Sequence, residues 1–509
     1  MNPLHIIILS LWALLVGAAL LQRGGVWESL RKIERRGARI VLLSVAGVLA
    51  AGVFWRAYFT ITPHTQQLIV RGEAAGDSVS AGFNTKARFR GLAQPLGRIT
   101  DRNGEMLAGY ALRGGHLRRT YPAAEATAHL VGYWTGPLRD GVGIEKGLTL
   151  LNDSLRDDLP HDLRLTLDVR LQRAALKSLD GNIGAVVVMN AANGEVLAAA
   201  NYPTYDPNRV WNDTAWRRYV RDLQNRPLTS RAVKDNFSPG SSIKPLIALA
   251  AHDLSAPLPE ESGFSCVGHY TPGRGITPIS EHGAAHGRIA MPAAMRYSCN
   301  TYFAHLAYRL VGFGAVAGYL DSLGFNRRLR WNTGAFLNEY STLLPATSWV
   351  RARDEIARTR IGIGQASVKV NPLHMAVLVS GIANGGRFIR PTIELGRQPD
   401  TLRWKIDPNS AQWLRKLLRE PLLPGGTAAA AFGGMEGSGI TIYGKTGTAD
   451  REPDGREPSW WISFGEKNGK RYAVVVAIQN RHGQFAGQLN APIARTLYQT
   501  LDRLGYFNR

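Results

Sequence analysis

Ser238-Pro239-Gly240-Ser241-Ser242-Ile243-Lys244-Pro245 places a hydroxyl and an amine three residues apart. The Pro-Gly pair marks a turn and Leu246–Ala251 continues as an apolar helix, so Ser241 stands at a helix start with Lys244 one turn on, facing the same side. A serine hydroxyl is a poor nucleophile unless a base lies within hydrogen-bond reach. A lysine can be that base when desolvation or neighbouring positive charge lowers its pKa. Alone, Ser-x-x-Lys is a weak signal: Ser29-Leu30-Arg31-Lys32 matches it too, in a basic loop. Ser298-Cys299-Asn300 adds a second hydroxyl and an amide, which by themselves read equally well as a turn or a helix cap. Lys445-Thr446-Gly447-Thr448 is sharper, because it lies between two β-like stretches and should run along a strand edge, where the glycine lets a ligand backbone approach.

These residues need a frame, and the flanking sequence supplies one. Leu96 to Leu107 reads as strand, Asn103-Gly104 turn, strand, and Leu163–Asp168 as a strand before helical spacing over Val169–Leu179. Ala185–Met189, Asn193-Gly194 and Val196–Ala199 form a hairpin of the central sheet. Trp460–Phe464 and Tyr472–Ile478 are strands and Ala491–Leu504 a helix. Strands at both ends of a helix-rich segment predict an α+β domain with a mainly antiparallel sheet.

Composition narrows the setting. The chain has 509 residues, 45% of them hydrophobic and 20% charged, which excludes a disordered chain, a collagen-like repeat and a polytopic membrane protein. Two cysteines are too few for a disulfide scaffold. A net charge of +22 suits nucleic acid, a membrane surface or an anionic envelope polymer equally. Two apolar runs decide among these: Leu4–Leu21 and Ile40–Phe59, the second interrupted only by Arg56, are both able to span a bilayer. The loop Gln22–Arg39 between them carries Arg23, Arg31, Lys32, Arg35, Arg36 and Arg39 against Glu28 and Glu34. Positive-inside bias puts that loop in the cytoplasm and everything after Phe59 outside, which excludes a nucleic-acid partner. A cleaved signal peptide would want a basic start, and Met1-Asn2-Pro3 has none.

Ser-x-x-Lys, Ser-x-Asn and Lys-Thr-Gly in this order are the motif set of penicillin-binding proteins and class A β-lactamases. The chain resembles the class B penicillin-binding proteins, the peptidoglycan D,D-transpeptidases, from about Leu96 to the C-terminus. Gly97-Arg98-Ile99-Thr100-Asp101-Arg102-Asn103-Gly104 and Gly143-Ile144-Glu145-Lys146 are similar to motifs of the family's N-terminal module. Leu165-Thr166-Leu167-Asp168, Asn193-Gly194-Glu195-Val196-Leu197-Ala198 and Tyr205-Asp206-Pro207-Asn208 match its approach to the nucleophile. His286-Gly287, Ile363-Gly364-Gln365, Asn371-Pro372-Leu373 and Ala383-Asn384-Gly385-Gly386 complete the likeness. Departures are Leu96 in place of a common arginine, Ala366 in place of a glycine, two membrane helices where most relatives have one, and a short N-terminal module.

The resemblance implies a penicillin-binding, serine transpeptidase fold, an antiparallel sheet with a helical subdomain. It would occupy 163–509, behind a pedestal or dimerisation-like module at 61–162 and a membrane anchor at 1–60. It implies Ser241 as nucleophile, Lys244 as general base, Ser298 as proton relay and Asn300 as the group orienting the substrate amide. Lys445 would supply positive field, Thr446 and Thr448 would hold the substrate carboxylate beside Gly447, and the N–H groups of Ser241 and Thr448 would form the oxyanion hole. Implied partners are peptidoglycan stem peptides, β-lactams as inhibitors and a membrane glycosyltransferase of the SEDS family. The implied setting is the bacterial cytoplasmic membrane with the catalytic domain outside, in cell shape or division.

Rival readings lack their residues. Residues 60–160 are too few for a glycosyltransferase domain; a β-lactamase would need a Glu-x-x-x-Asn deacylation element; a penicillin sensor of the same fold would carry a His-Glu-x-x-His protease domain. No cofactor or metal is expected. His282 and His286 stand four apart, but the motif holds no third ligand and glycines flank both. Cys266 and Cys299 are either a disulfide or two buried thiols.

Overall fold

The computed structural model describes residues 96–113, 116–134, 144, 161–333, 355–365, 368–452 and 455–508. Both expected membrane helices, the loop between them and residues 61–95, 114–115, 135–143 and 145–160 of the expected N-terminal module lie outside the described residues. Among the described residues no helix is long and apolar enough to cross a membrane.

The first described strands form a small sheet. β1 (Ile99–Thr100) turns through Asn103-Gly104 into β2 (Met106–Arg113), with the Asp101 carboxylate accepting from the N–H groups of Asn103 and Glu105 and Gly104 at φ 89°. β3 (His116–Thr120) pairs with β2, and β4 (Leu163–Arg164) runs parallel to β1, giving the order β3-β2-β1-β4. The strand expected over Leu163–Asp168 is shorter because Asp168 turns away to cap α1 (Val169–Ser178), accepting from Arg170 N.

The main sheet has five strands. The hairpin β5 (Gly184–Asn190) and β6 (Val196–Tyr202) forms one side. A long excursion follows through α2 (Lys244–Asp253), the ribbon β7 (His269–Tyr270) and β8 (Ile279–Ser280), α3 (Met291–Tyr297), α4 (Asn300–His305), α5 (Pro372–Ala383) and the pair β9 (Arg387–Ile389) and β10 (Thr401–Lys405). The chain then completes the sheet with β11 (Thr441–Thr448), β12 (Ser459–Lys467) and β13 (Lys470–Ile478), and ends in α6 (Ala486–Arg503). The order is β11-β12-β13-β5-β6, antiparallel throughout, as the sequence pattern predicts.

Both faces of this sheet are covered, which explains its unbroken apolar strands. Val187, Met189, Val475 and Ala477 enter the core shared with α2, α4 and α5, while the alternate residues Val186, Val188, Val474 and Val476 enter a second core with α1 and α6. α6 begins at Ala486, earlier than the Ala491 that Pro492 suggests as a start. Asn490, buried on the turn before Pro492, donates to Ser459 O and Val476 O and ties this part of the helix to the sheet.

Candidate active site

Ser241 lies on a single tight turn, Gly240–Ile243, that feeds directly into α2, whose first residue is Lys244. The approach to the turn is pinned from several sides. Phe237 and Val370 exchange backbone hydrogen bonds, Trp460 Nε1 donates to Ser238 O at 2.8 Å, and the buried Glu452 carboxylate accepts from Ser238 N at 2.9 Å. Lys369 in turn bonds Ser238 Oγ at 2.9 Å and pairs with Glu452 at 2.5 Å.

Three glycines let backbones close on this turn. A Cβ on Gly447 would stand 2.5 Å from Pro239 O and 2.8 Å from Ser242 Cβ, so the Lys445–Thr448 edge of β11 touches the Ser241 turn itself. A Cβ on Gly240, at φ 53°, would meet Thr448 O at 2.6 Å. One on Gly364, at φ 66°, would meet Gly240 O at 2.2 Å, where Gly240 N already donates to Gly364 O at 2.9 Å.

Opposite β11 stand the end of α3 and the start of α4. Ser298 closes α3 in the left-handed region, φ 58° and ψ 43°, which aims both its oxygens at the lysines. Lys244 Nζ donates to Ser298 O at 2.6 Å, Asn300 Oδ1 at 2.8 Å and Ser298 Oγ at 3.3 Å. Lys445 Nζ donates to the same Ser298 Oγ at 2.8 Å and to Thr446 O at 3.0 Å. Neither lysine has exposed surface. Burial pushes the Lys244 ammonium down to about 8, against the opposing pull of Glu281 and Cys299. Burial, and then the charge of Lys244, push Lys445 well down too. Two ammonium groups on one hydroxyl oppose each other's charge, and the site is poised to release a proton near neutral pH. Ser241, half-buried, forms no hydrogen bond through Oγ among the described residues.

Three contributors were not singled out from the sequence. Thr427 Oγ1 lies 2.8 Å from Thr446 Oγ1 and backs the Lys-Thr-Gly strand. Glu452 braces Ser238. Glu281 accepts from Asn300 N at 3.0 Å and Thr301 N at 2.7 Å, fixing the start of α4. Burial disfavours its charge, but these two N–H groups and Lys244 prevail and hold the carboxyl below its ordinary range. No spacing signal marks Thr427 or Glu281, since each reaches the site across the fold.

Every expected site residue, Ser241, Lys244, Ser298, Asn300, Lys445, Thr446, Gly447 and Thr448, comes to this one place. Cys266 and Cys299 are free and buried, so they form no disulfide. Of the two histidines, His282 is exposed and stays apart, whereas the donor atoms of His286, Cys266, Glu281 and Cys299 lie within 4.8 Å of one another.

Known proteins share this domain and this fold. Residues 184–499 match the family model described as the penicillin binding protein transpeptidase domain, well over half of the chain. The peptidoglycan D,D-transpeptidase PbpA of Mycobacterium tuberculosis is 26% identical over 460 residues, covering 82% of this chain and 91% of that one. The structure of penicillin-binding protein A from M. tuberculosis as a penicillin G acyl-enzyme complex superimposes with a TM-score of 0.67 at 24% identity, covering 80% of this chain and 99% of the other. Pseudomonas aeruginosa PBP2 superimposes with a TM-score of 0.65 at 26% identity, covering 80% and 95%. The chain belongs to the penicillin-binding protein transpeptidase family, among its class B members.

Proposed function

We propose that Ser241 is the nucleophile of a serine-type peptidoglycan D,D-transpeptidase that β-lactams acylate. The observation that carries the assignment is Lys244, a lysine without exposed surface, on the same turn as Ser241 and directed at Ser298 and Asn300. Such a lysine is a base near neutral pH, and nothing in a purely structural role requires burying it beside a second lysine.

Ser241 Oγ attacks the carbonyl carbon of the penultimate D-Ala of a stem pentapeptide while its proton passes to neutral Lys244 Nζ. The N–H groups of Ser241 and Thr448 hold the oxyanion, at the point where the Gly240 turn and the end of β11 meet. As the C–N bond to the terminal D-Ala breaks, Ser298 Oγ, bonded to both lysines, hands a proton to the leaving nitrogen. Lys445, Thr446 and Thr448 bind the terminal carboxylate beside Gly447, and Asn300 orients the substrate amide. The amine of a neighbouring stem peptide then attacks the ester, releasing Ser241 and forming the cross-link. In β-lactams the ring amide takes the place of the scissile bond.

The membrane-spanning runs Leu4–Leu21 and Ile40–Phe59 anchor the chain in the cytoplasmic membrane with its catalytic domain outside, beside a SEDS-family glycosyltransferase whose glycan it cross-links. Labelling the full chain in detergent with fluorescent penicillin, followed by mass spectrometry, tests the chemistry. A long-lived adduct on Ser241, absent from Ser241→Ala, is expected. Rapid release of the adduct would make the protein a β-lactamase, and an adduct that survives Ser241→Ala would refute the nucleophile.

A further inference from the structure

β11 lies at the edge of the five-stranded sheet, and among the described residues no strand pairs with its outer side. An extended peptide can add along such an edge. On the transpeptidase reading, on which this inference rests, the donor's terminal carboxylate reaches back to Lys445 and Thr446, and its scissile carbonyl sits at the N–H groups of Ser241 and Thr448. The donor therefore runs antiparallel to β11, and each residue before the scissile bond lies about 3.3 Å further past Thr448. The residue preceding the penultimate D-Ala, the third of the stem, passes beside Ala449 and Asp450. Ala449 N donates to Pro458 O at 2.9 Å, so the β11–β12 ladder still holds the backbone there.

Two opposite charges stand at that point. Asp450, with a half-exposed side chain, lies 3.6 Å from Arg360, an ion pair without a hydrogen bond. The Asp450 carboxylate accepts no hydrogen bond among the described residues. Arg360 precedes the tight turn Ile361–Ile363, and its carbonyl accepts from Ile363 N and Gln365 N, both at 3.2 Å. Its Nη1 donates to Oε1 of the buried Gln365 at 3.1 Å, which fixes the direction of the guanidinium. Gly240 touches both segments: its N–H donates to Gly364 O at 2.9 Å, and on its other side a Cβ would meet Thr448 O at 2.6 Å and Ala449 N at 2.9 Å. The pair therefore spans the Ser241 turn. An exposed pair at this separation contributes little to stability, and both groups keep bonding capacity for a ligand.

We infer that Arg360 and Asp450 read the third residue of the donor stem, and that the residue they fit is a diamino-dicarboxylic acid such as diaminopimelate with a free distal end. That end carries a carboxylate and an ammonium on one carbon. The guanidinium donates to the carboxylate, and Asp450 accepts from the ammonium. Lysine offers the ammonium alone and leaves Arg360 facing a like charge. A diaminopimelate whose distal carboxyl is amidated keeps the ammonium but loses the charge on which Arg360 acts.

The test uses the full chain in detergent and synthetic stem pentapeptides with diaminopimelate, its distal amide or lysine as the third residue. Release of D-Ala gives kcat/KM. Each value is divided by the rate at which fluorescent penicillin, which has no third residue, labels the same variant, so that loss of fold or of Ser241 reactivity cancels. The wild-type chain should prefer the diaminopimelate donor over the other two by about tenfold or more. Arg360→Gln should cut that preference to about twofold or less, and Arg360→Lys should restore part of it. Asp450→Asn should lower all three donors together, since each carries the ammonium. A wild-type adduct on Ser241 with equal turnover of the three donors overturns this inference alone, as does a preference that Arg360→Gln leaves intact. Wild-type chain that forms no adduct on Ser241 overturns the transpeptidase reading and this inference with it.

Discussion

The two walls that face the Ser241 turn are held by different means. On one side Lys445–Thr448 belong to β11, where every residue is registered against β12 from Thr441↔Glu466 to Thr448↔Ser459. That wall is a property of the backbone ladder and of the buried β12 behind it. On the other side Ser298 and Asn300 sit where two short helices meet, in a left-handed kink, and depend on Glu281 and the thiols around it. The contrast teaches that the position of the sheet wall is set by backbone pairing, whereas the position of the helical wall depends on a few polar side chains.

The largest expected effect comes from the group between the walls. Lys244→Ala should slow acylation of Ser241 by about 10³-fold or more, read from the second-order rate of fluorescent-penicillin labelling. Lowering pH should do the same reversibly. The reactive form has Lys244 neutral, and burial sets its titration at about 8, so labelling should fall about tenfold per pH unit below that value and level off above it. A rate flat from pH 6 to 9 would remove Lys244 from the base role.

Gly447→Val strikes the sheet wall at a backbone-to-backbone approach, where a Cβ has 2.5 Å to Pro239 O. Labelling should fall about 10²-fold with a cooperative unfolding transition retained, because only the register of the turn against β11 is lost. Glu281→Gln strikes the helical wall. It removes the charge that holds the N–H groups of Asn300 and Thr301, so stability should drop by about 1–3 kcal/mol in denaturant titrations and labelling by about tenfold. Thr427→Val deletes a hydrogen bond to a threonine that β11 already holds. It should cost about 1 kcal/mol or less, and a few-fold in labelling. A larger effect from Thr427→Val than from Glu281→Gln would reverse the comparison.

Much of this arrangement is legible in the chain. The strand runs are apolar without alternation because both faces of the sheet are covered, and that pattern survives translation into β5, β12 and β13. Ser241 and Lys244 share a turn through local spacing, and Gly447 announces a close approach because glycine is the residue that permits one. Asp168 ends its strand early for a local reason, the cap it gives to Arg170 N, whereas the ties of Asn490 inside α6 are not local, since its partners Ser459 and Val476 lie on the sheet.

The sequence by itself determined which atoms could do chemistry, the strand and helix pattern around them, and the family to which they belong. Those follow from side-chain type and short-range periodicity. Only the tertiary structure decided that both lysines are fully desolvated on one hydroxyl and that Glu281 anchors Asn300. It alone brought Cys266, His286 and Cys299 together while leaving His282 in solvent. Desolvation and convergence belong to segments far apart in the chain, and no spacing along it encodes the distance at which they meet.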